Sequence, residues 1–282
     1  MPQPVLSRYV AFSSDPTGGN PAGVWIGDAL PPRDEMQRIA AEVGYSETAF
    51  LAPVSGSART VRYFSPEIEV PFCGHATIAA GAALGASGGA GTYRLSTRVG
   101  MVPVEVREQD GAWRAALTSV EPTFQAVVED VAAEALQLLG WERADLDPTI
   151  PPARAFAGEW HLVLAVRERE RLRRLDYDFD GLAALSRRAG FITSQLIWRE
   201  RPHVFHSRNP FPVGGIVEDP ATGAAAAALG GYLRDASLIA PPAQLTIHQG
   251  NDMGRPSLLI VDVPETGGLV VSGAAVALAD HA

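Results

Sequence analysis

His75-Ala-Thr-Ile-Ala-Ala-Gly-Ala-Ala-Leu84 and Ala221-Thr-Gly-Ala-Ala-Ala-Ala-Ala-Leu-Gly230 are the two stretches whose reading decides the fold. Both combine small side chains with a few aliphatic ones, a composition that favours helix and lets a helix pack closely against surrounding sheet. Each is entered through a polar turn: Cys73-Gly74-His75 in the first case, Glu218-Asp219-Pro220-Ala221-Thr222-Gly223 in the second. They lie about half a chain apart, which predicts two halves of similar plan, each containing a helix of this kind.

Working outward from the first helix, the sequence predicts strands at Val5–Phe12 and Gly23–Ile26, separated by a turn at Ser14–Gly19. A helix follows with Pro31 and Pro32 in its first turn, Asp34 as early negative charge, and Met36, Ile39, Ala40 and Val43 at helical spacing before Gly44 ends it. Strands are expected at Thr48–Leu51 and Thr60–Phe64, then a turn containing Pro66 and Pro71. In the second half the expected strands are His161–Val166 and Ser194–Trp198, with an amphipathic helix at Phe179–Ala189 between them and a turn at Val217–Ala221 before the second small-residue helix. Gly85–Gly91 reads as a flexible Gly/Ala loop, so no glycine-rich fingerprint lies between a strand and a helix, and no dinucleotide is expected.

Composition narrows the chemistry. The 282 residues carry a formal net charge of −9, and the densest basic stretch, Arg167–Arg174, is interrupted by Glu168 and Glu170, the pattern of a solvated helix or turn. A nucleic-acid backbone would be repelled. No apolar run is long enough to span a bilayer and the amino terminus lacks a secretory pattern, so a cytoplasmic protein with no membrane partner is expected. The chain contains no lysine, which excludes lysine Schiff bases and the phosphate-binding lysine of a P-loop. The single cysteine, Cys73, excludes an intrachain disulfide and a thiolate cage. His203 and His206 are expected on one strand, pointing oppositely, which argues against a metal pair. Neither metal nor cofactor is expected.

The two helix entrances matter because the first N–H groups of a helix lack intrahelical partners and sit at the positive end of the macrodipole. If the halves face one another about a pseudo-dyad, both entrances point into one cleft, with Glu47, His75 and Asp219 close by. That arrangement would move protons: a carboxylic acid shifts a proton between carbon positions while N–H donors hold an anionic substrate. The same residues have simpler readings. Asp219 before Pro220 could cap the second helix, His75 the first, and Glu47 could be a solvated residue at a strand entrance.

Five motifs in order resemble the PhzF-like phenazine-biosynthesis family, within the diaminopimelate epimerase and proline racemase superfamily. They are Gly19-Asn20-Pro21-Ala22; Tyr45-Ser46-Glu47-Thr48-Ala49-Phe50; Pro71-Phe72-Cys73-Gly74-His75-Ala76-Thr77; Glu218-Asp219-Pro220-Ala221-Thr222-Gly223; and Gln249-Gly250 with Gly254-Arg255-Pro256-Ser257. The resemblance implies an α+β fold of two similar diaminopimelate-epimerase-like domains, each a curved, mostly antiparallel sheet or barrel around a central helix. The halves are expected at 1–118 and 119–282, with a last strand, about 268–282, crossing back to the first half. The resemblance also implies a homodimer, a cofactor-independent isomerase, Glu47 as the principal acid–base residue, and His75 and Asp219 assisting it. Asn20, Gly74, Ala76, Thr222, Gly223, Ala224, Gln249 and Gly250 are then the expected substrate-binding positions, for a small carboxylate such as a dihydro-hydroxyanthranilate. Ala224 stands where the phenazine enzymes carry serine. Cys73 resembles the first catalytic cysteine of the proline racemases, but with no second cysteine a symmetrical two-thiol racemase is excluded. The competing readings are a one-thiol epimerase and an inactive binding protein of the same fold.

Overall fold

The computed structural model describes residues 4–279. Two compact units divide it: the described residues of Met1–Thr118 with those of Ser272–Ala282, and Ser119–Val271.

The first unit comprises β1 (Val5–Ala11), β2 (Asn20–Ile26), α1 (Arg33–Val43), β3 (Thr48–Ser55), β4 (Ala58–Phe64), β5 (Glu69–Val70), α2 (Gly74–Gly88), β6 (Gly91–Thr97), β7 (Gly100–Gln109) and β8 (Ala112–Thr118). To these it adds Ser272–Ala277 of the chain's last strand, β18 (Val270–Ala277). Residues 280–282 of the last strand expected at about 268–282 lie outside the described residues. The strands follow the order β1-β2-β3-β4-β6-β7-β8-β18, and the pairing of β1 with β18 closes them into an eight-stranded barrel. Most neighbours are antiparallel. The exceptions, β2 with β3 and β4 with β6, are parallel and are connected through α1 and α2.

α1 packs the stripe read from its spacing. Met36, Ala40 and Val43 are buried, Pro32 sits at the N-cap, and Gly44 ends the helix in the left-handed conformation. Met36 and Ala40 join Trp25, Phe50 and Phe64 in one apolar cluster, with the Phe50 and Phe64 rings edge to face at 5.6 Å. α2 differs in having no exposed stripe over most of its length, because every residue from His75 to Gly85 is buried.

Its small residues make that possible. A Cβ at Gly81 would lie 2.7 Å from the Ala115 Cβ, and one at Gly85 would lie 2.4 Å from Trp113 Cε3 and 2.6 Å from Val106 Cγ1. The expectation of a flexible loop over Gly85–Gly91 is therefore corrected: α2 continues to Gly88, β6 starts at Gly91, and Gly81 and Gly85 serve close approach to β7 and β8. Gly85→Val should lower stability by about 1–3 kcal/mol through overpacking, a fall in thermal midpoint that calorimetry would measure.

The second unit repeats the plan. Its elements are β9 (Thr123–Ala126), α3 (Glu129–Leu138), β10 (Ala153–Phe156), β11 (Trp160–Val166), α4 (Arg169–Arg173), α5 (Phe179–Ala189), β12 (Thr193–Arg201), β13 (Val204–Arg208), β14 (Pro210–Phe211), β15 (Ile216–Glu218), α6 (Gly223–Asp235), β16 (Ala243–Gln249) and β17 (Ser257–Val263). The sheet order is β17-β16-β13-β12-β11-β10-β9. Again two neighbouring pairs are parallel, β11 with β12 and β13 with β16. α5 lies on the first connection and α6 on the second, as α1 and α2 do in the first unit.

α6 packs against β9, β10 and β17, with its residues from Ala225 to Arg234 buried. Within α5, Asp178 caps by accepting the Gly181 N–H at 2.9 Å, while Leu182, Ala183, Leu185 and Ser186 are buried. The basic stretch forms α4 and pairs locally, Arg174 Nε to Glu170 at 2.6 Å and Arg171 to Asp145 at 3.3 Å. Among the described residues no helix is long and apolar enough to cross a membrane.

Candidate active site

In the first unit, Glu47 is the residue immediately before β3, held there because Gly44 ends α1 and the Glu47 carbonyl accepts the Gly23 N–H at 3.1 Å. α2 begins one residue after Cys73, which is its N-cap in extended conformation. These two local structures bring distant sequence together. His75 Nε2 lies 3.4 Å from Glu47 Oε2 and 3.3 Å from Ser46 Oγ, and Cys73 Sγ lies 3.3 Å from His75 Nδ1. The His75 side chain is 8% exposed and that of Glu47 20%, so the carboxylate retains access to solvent or ligand while the imidazole is nearly enclosed.

The helix entrance is braced from below. Thr77 donates both its N–H, at 3.0 Å, and its hydroxyl, at 2.7 Å, to the Cys73 carbonyl. Since the Thr77 proton is so directed, the Tyr63 hydroxyl is the donor across their 2.7 Å contact, and burial raises the Tyr63 pKa. Neither Cys73 nor His75 caps the helix with its side chain, so the reading of His75 as a structural cap is not what the structure contains. The N–H groups of Gly74, His75 and Ala76 occupy the first turn, where no intrahelical acceptor is available. Asn20 is buried at the start of β2, opposite Ala11.

In the second unit, the turn before α6 is a closed network. Asp219 Oδ2 accepts the Thr222 hydroxyl at 2.6 Å; Gln249 Nε2 donates to the Asp219 carbonyl at 2.8 Å and to Thr222 Oγ1 at 3.0 Å; and Gln249 Oε1 accepts the Thr222 N–H at 3.2 Å. Thr222, not Asp219, is the N-cap residue, and it makes no side-chain cap bond. Gly223 and Ala224 are the first residues of α6.

Gly250 has φ +75°, and a Cβ there would lie 2.2 Å from the Arg255 carbonyl oxygen and 2.8 Å from that of Pro220. Only glycine satisfies both demands. Gly250→Ala is expected to cost about 1–3 kcal/mol and to displace the Pro220 turn, visible as a lowered urea midpoint.

Residues that the sequence reading passed over support Asp219. Its N–H donates to the Asn209 carbonyl at 3.0 Å. Asn209 Oδ1 in turn accepts the Thr193 hydroxyl at 2.7 Å, which fixes Thr193 as acceptor for His161 Nδ1–H at 2.8 Å. The signal available in the sequence was one polar residue, His161, in the apolar strand Trp160–Val166. Burial lowers the His161 pKa from 6.5 to about 3.

In that window the unfolded chain binds a proton that the native state refuses, so stability falls as pH drops from 6.5 toward 3, by up to about 1.4 kcal/mol per pH unit. His161→Gln should flatten the pH dependence of the urea midpoint between about pH 6 and 4, where wild type loses stability.

Glu218 and Arg208 form a nearly buried pair beneath the same turn, Arg208 Nε to Glu218 Oε1 at 3.0 Å, with Arg208 Nη1 donating to the Arg173 carbonyl at 2.9 Å. Tyr177 donates its hydroxyl to the Val217 carbonyl at 2.6 Å, and burial with the charge of Glu218 pushes its pKa up to about 12. His203 is also corrected: it lies in the turn joining β12 and β13, not on a strand, while His206 is on β13, stacked at 5.0 Å on His248 and 2.8 Å from Glu200.

Residues 9–281 match the phenazine biosynthesis-like protein family. The chain belongs to that family. A trans-2,3-dihydro-3-hydroxyanthranilate isomerase of Pseudomonas fluorescens is 35% identical over 90% of this chain and 89% of its own length. An uncharacterized isomerase of Bacillus subtilis is 30% identical over 96% of this chain and 94% of its own length. The crystal structure of a PhzF-family phenazine biosynthesis protein of Bacillus anthracis superposes with a TM-score of 0.86 at 24% identity, covering 98% of this chain and 97% of that one. A hydroxyproline epimerase of Agrobacterium vitis shares the fold, with a TM-score of 0.67 at 13% identity over 97% of this chain and 88% of that one. These relatives make the chain a PhzF-like isomerase.

Proposed function

We propose that this PhzF-like chain is a cofactor-independent isomerase in which Glu47 transfers a proton between carbon positions of a small carboxylate substrate. The observation that carries the reading is the 3.4 Å approach of Glu47 Oε2 to His75 Nε2 at the entrance of α2. Glu47 takes the proton from carbon, and the negative charge left behind is stabilised by first-turn N–H groups of Gly74, His75 and Ala76. His75 orients the carboxylate and shares the proton on its return.

In the same proposal Asp219, with Thr222, Gly223, Ala224 and the Gln249-Gly250 turn, gives the substrate-binding positions of the second unit, and Asn20 contributes a polar contact in the first. A dihydro-hydroxyanthranilate is the first substrate to try, because the Pseudomonas fluorescens relative is named for one. The proposal includes a homodimer, which sedimentation analysis would measure.

The test is deuterium uptake from solvent into such cyclic and acyclic carboxylates by wild type and by Glu47→Gln. Exchange that is undiminished in the variant removes Glu47 from the mechanism. A second reading, with Cys73 as one acid–base group, is favoured only by its 3.3 Å contact with His75 Nδ1. Turnover unchanged in Cys73→Ala would dismiss it.

A further inference from the structure

Glu47, Cys73 and His75 are three different donor types, and one donor atom from each lies within 4.8 Å of the other two. Among the described residues no other group of three histidine, cysteine or acidic side chains is gathered this closely. The stacked His206 and His248 have Glu200 against His206 but form no such triplet. We propose that Glu47, Cys73 and His75 bind a thiophilic divalent cation of the Zn²⁺ class, and that the bound ion reversibly blocks the site.

The geometry needs one side chain to turn. Tetrahedral zinc with nitrogen and oxygen at about 2.0–2.1 Å and sulfur at about 2.3 Å has an N···O edge of roughly 3.3 Å and an N···S edge of roughly 3.6 Å. The His75 Nε2 to Glu47 Oε2 separation is 3.4 Å, and that from Cys73 Sγ to His75 Nε2 is 3.9 Å. The first edge is already formed, and a rotation of the Cys73 side chain that carries Sγ from the Nδ1 end of the ring to the Nε2 end closes the second. Thiolate, imidazole and carboxylate are all zinc ligands, and three of them leave the fourth position open.

The chemistry balances simply. The Cys73 S–H proton passes to solvent as the sulfur–metal bond forms, His75 Nε2 and Glu47 Oε2 contribute lone pairs, and water leaves the hydrated ion. One thiolate and one carboxylate neutralise its two charges. With Nε2 on the ion, His75 carries its proton on Nδ1, and Cys73 Sγ gives up its 3.3 Å contact with that nitrogen as it turns toward the ion. Because a proton is released, affinity rises with pH.

The metal site stands on geometry alone, whereas its inhibitory effect rests on Glu47 being the proton-transfer group, since a carboxylate holding a cation no longer takes a proton from carbon. The experiment separates the two. The full chain, free of any histidine tag, is titrated with Co²⁺ as a spectroscopic probe and then with Zn²⁺ in competition with a chromogenic chelator. One equivalent of cobalt should bind with an intense thiolate-to-cobalt charge-transfer band, and zinc should displace it.

Cys73→Ser should lose the band and bind zinc at least about 100-fold more weakly, and His75→Gln should weaken binding similarly. Circular dichroism establishes that each variant is folded, and a His206→Asn/His248→Asn variant should bind as wild type does. Absence of the band in wild type, or zinc affinity unchanged in Cys73→Ser, overturns the site. Inhibition of turnover by zinc, reversed by chelator, supports the blocking role. Full turnover with zinc bound overturns that role and the Glu47 assignment together, while loss of the band with turnover still dependent on Glu47 overturns the metal site alone.

Discussion

Replacing Glu218 by alanine should lower the free energy of unfolding by about 3–5 kcal/mol. Glu218 is 7% exposed and Arg208 9%, and they meet through Arg208 Nε and Nη2. Removing the carboxylate leaves a guanidinium in a place where water does not replace the lost partner, and the desolvation cost of that charge dominates the effect. Glu218→Gln retains an acceptor but not the charge, so it should recover only part of the loss. Changing both partners to apolar residues of similar volume, Arg208→Met with Glu218→Leu, should be milder than either single change. Urea denaturation measures all four proteins, and a loss below about 1 kcal/mol in Glu218→Ala would mean that the pair is hydrated. If Asp219 binds substrate as proposed, position adds a functional consequence: Glu218 ends β15, opposite Pro210, and the next residue is Asp219. A loosened pair should therefore raise KM before the protein unfolds.

Glu47→Gln should reduce kcat by about 10²- to 10⁴-fold, the range for removing a positioned acid–base group, equivalent to about 2.7–5.5 kcal/mol of barrier. The amide keeps the shape and the approach to His75 but cannot take up the proton. Stability should change little, because the Glu47 side chain is 20% exposed and its carboxylate is not closed into a buried ion pair. KM should move far less than kcat if Glu47 acts on the reacting carbon more than on binding. Glu47→Asp keeps the acid but retracts it by one methylene, so it should fall between wild type and the amide. A kcat within about threefold of wild type for Glu47→Gln, in folded protein, would return Glu47 to the role of a strand-entrance residue.

Much of the architecture was legible because its determinants are local. The spacing of Met36, Ala40 and Val43 together with Gly44 marks α1, and the twin alanine-rich helices mark a repeat that the structure shows as matching parallel pairs, β2/β3 and β4/β6 against β11/β12 and β13/β16. Glycine has two uses that composition does not separate. Composition over Gly85–Gly91 predicts flexibility, but Gly85 is required by the approach of Trp113 and Val106, which are more than twenty positions away in sequence. The polar chain from His161 through Thr193 and Asn209 to the backbone of Asp219 was not legible beyond His161, since His161 and Thr193 lie on different strands, Asn209 lies between β13 and β14, and they meet only through register and packing.

By itself the sequence determined which chemistry is available: no lysine, one thiol, and glutamate, histidine and aspartate at two helix entrances of similar composition. It also determined the order of elements, because helical and strand periodicities are properties of neighbouring residues. Tertiary structure alone decided that Glu47, Cys73 and His75 converge, and that Arg208 and Glu218 are buried as a pair. Those facts depend on where α2 begins inside a closed barrel and on how strands far apart in the chain align, and such distances are set by packing and register, not by the spacing of residues along the chain.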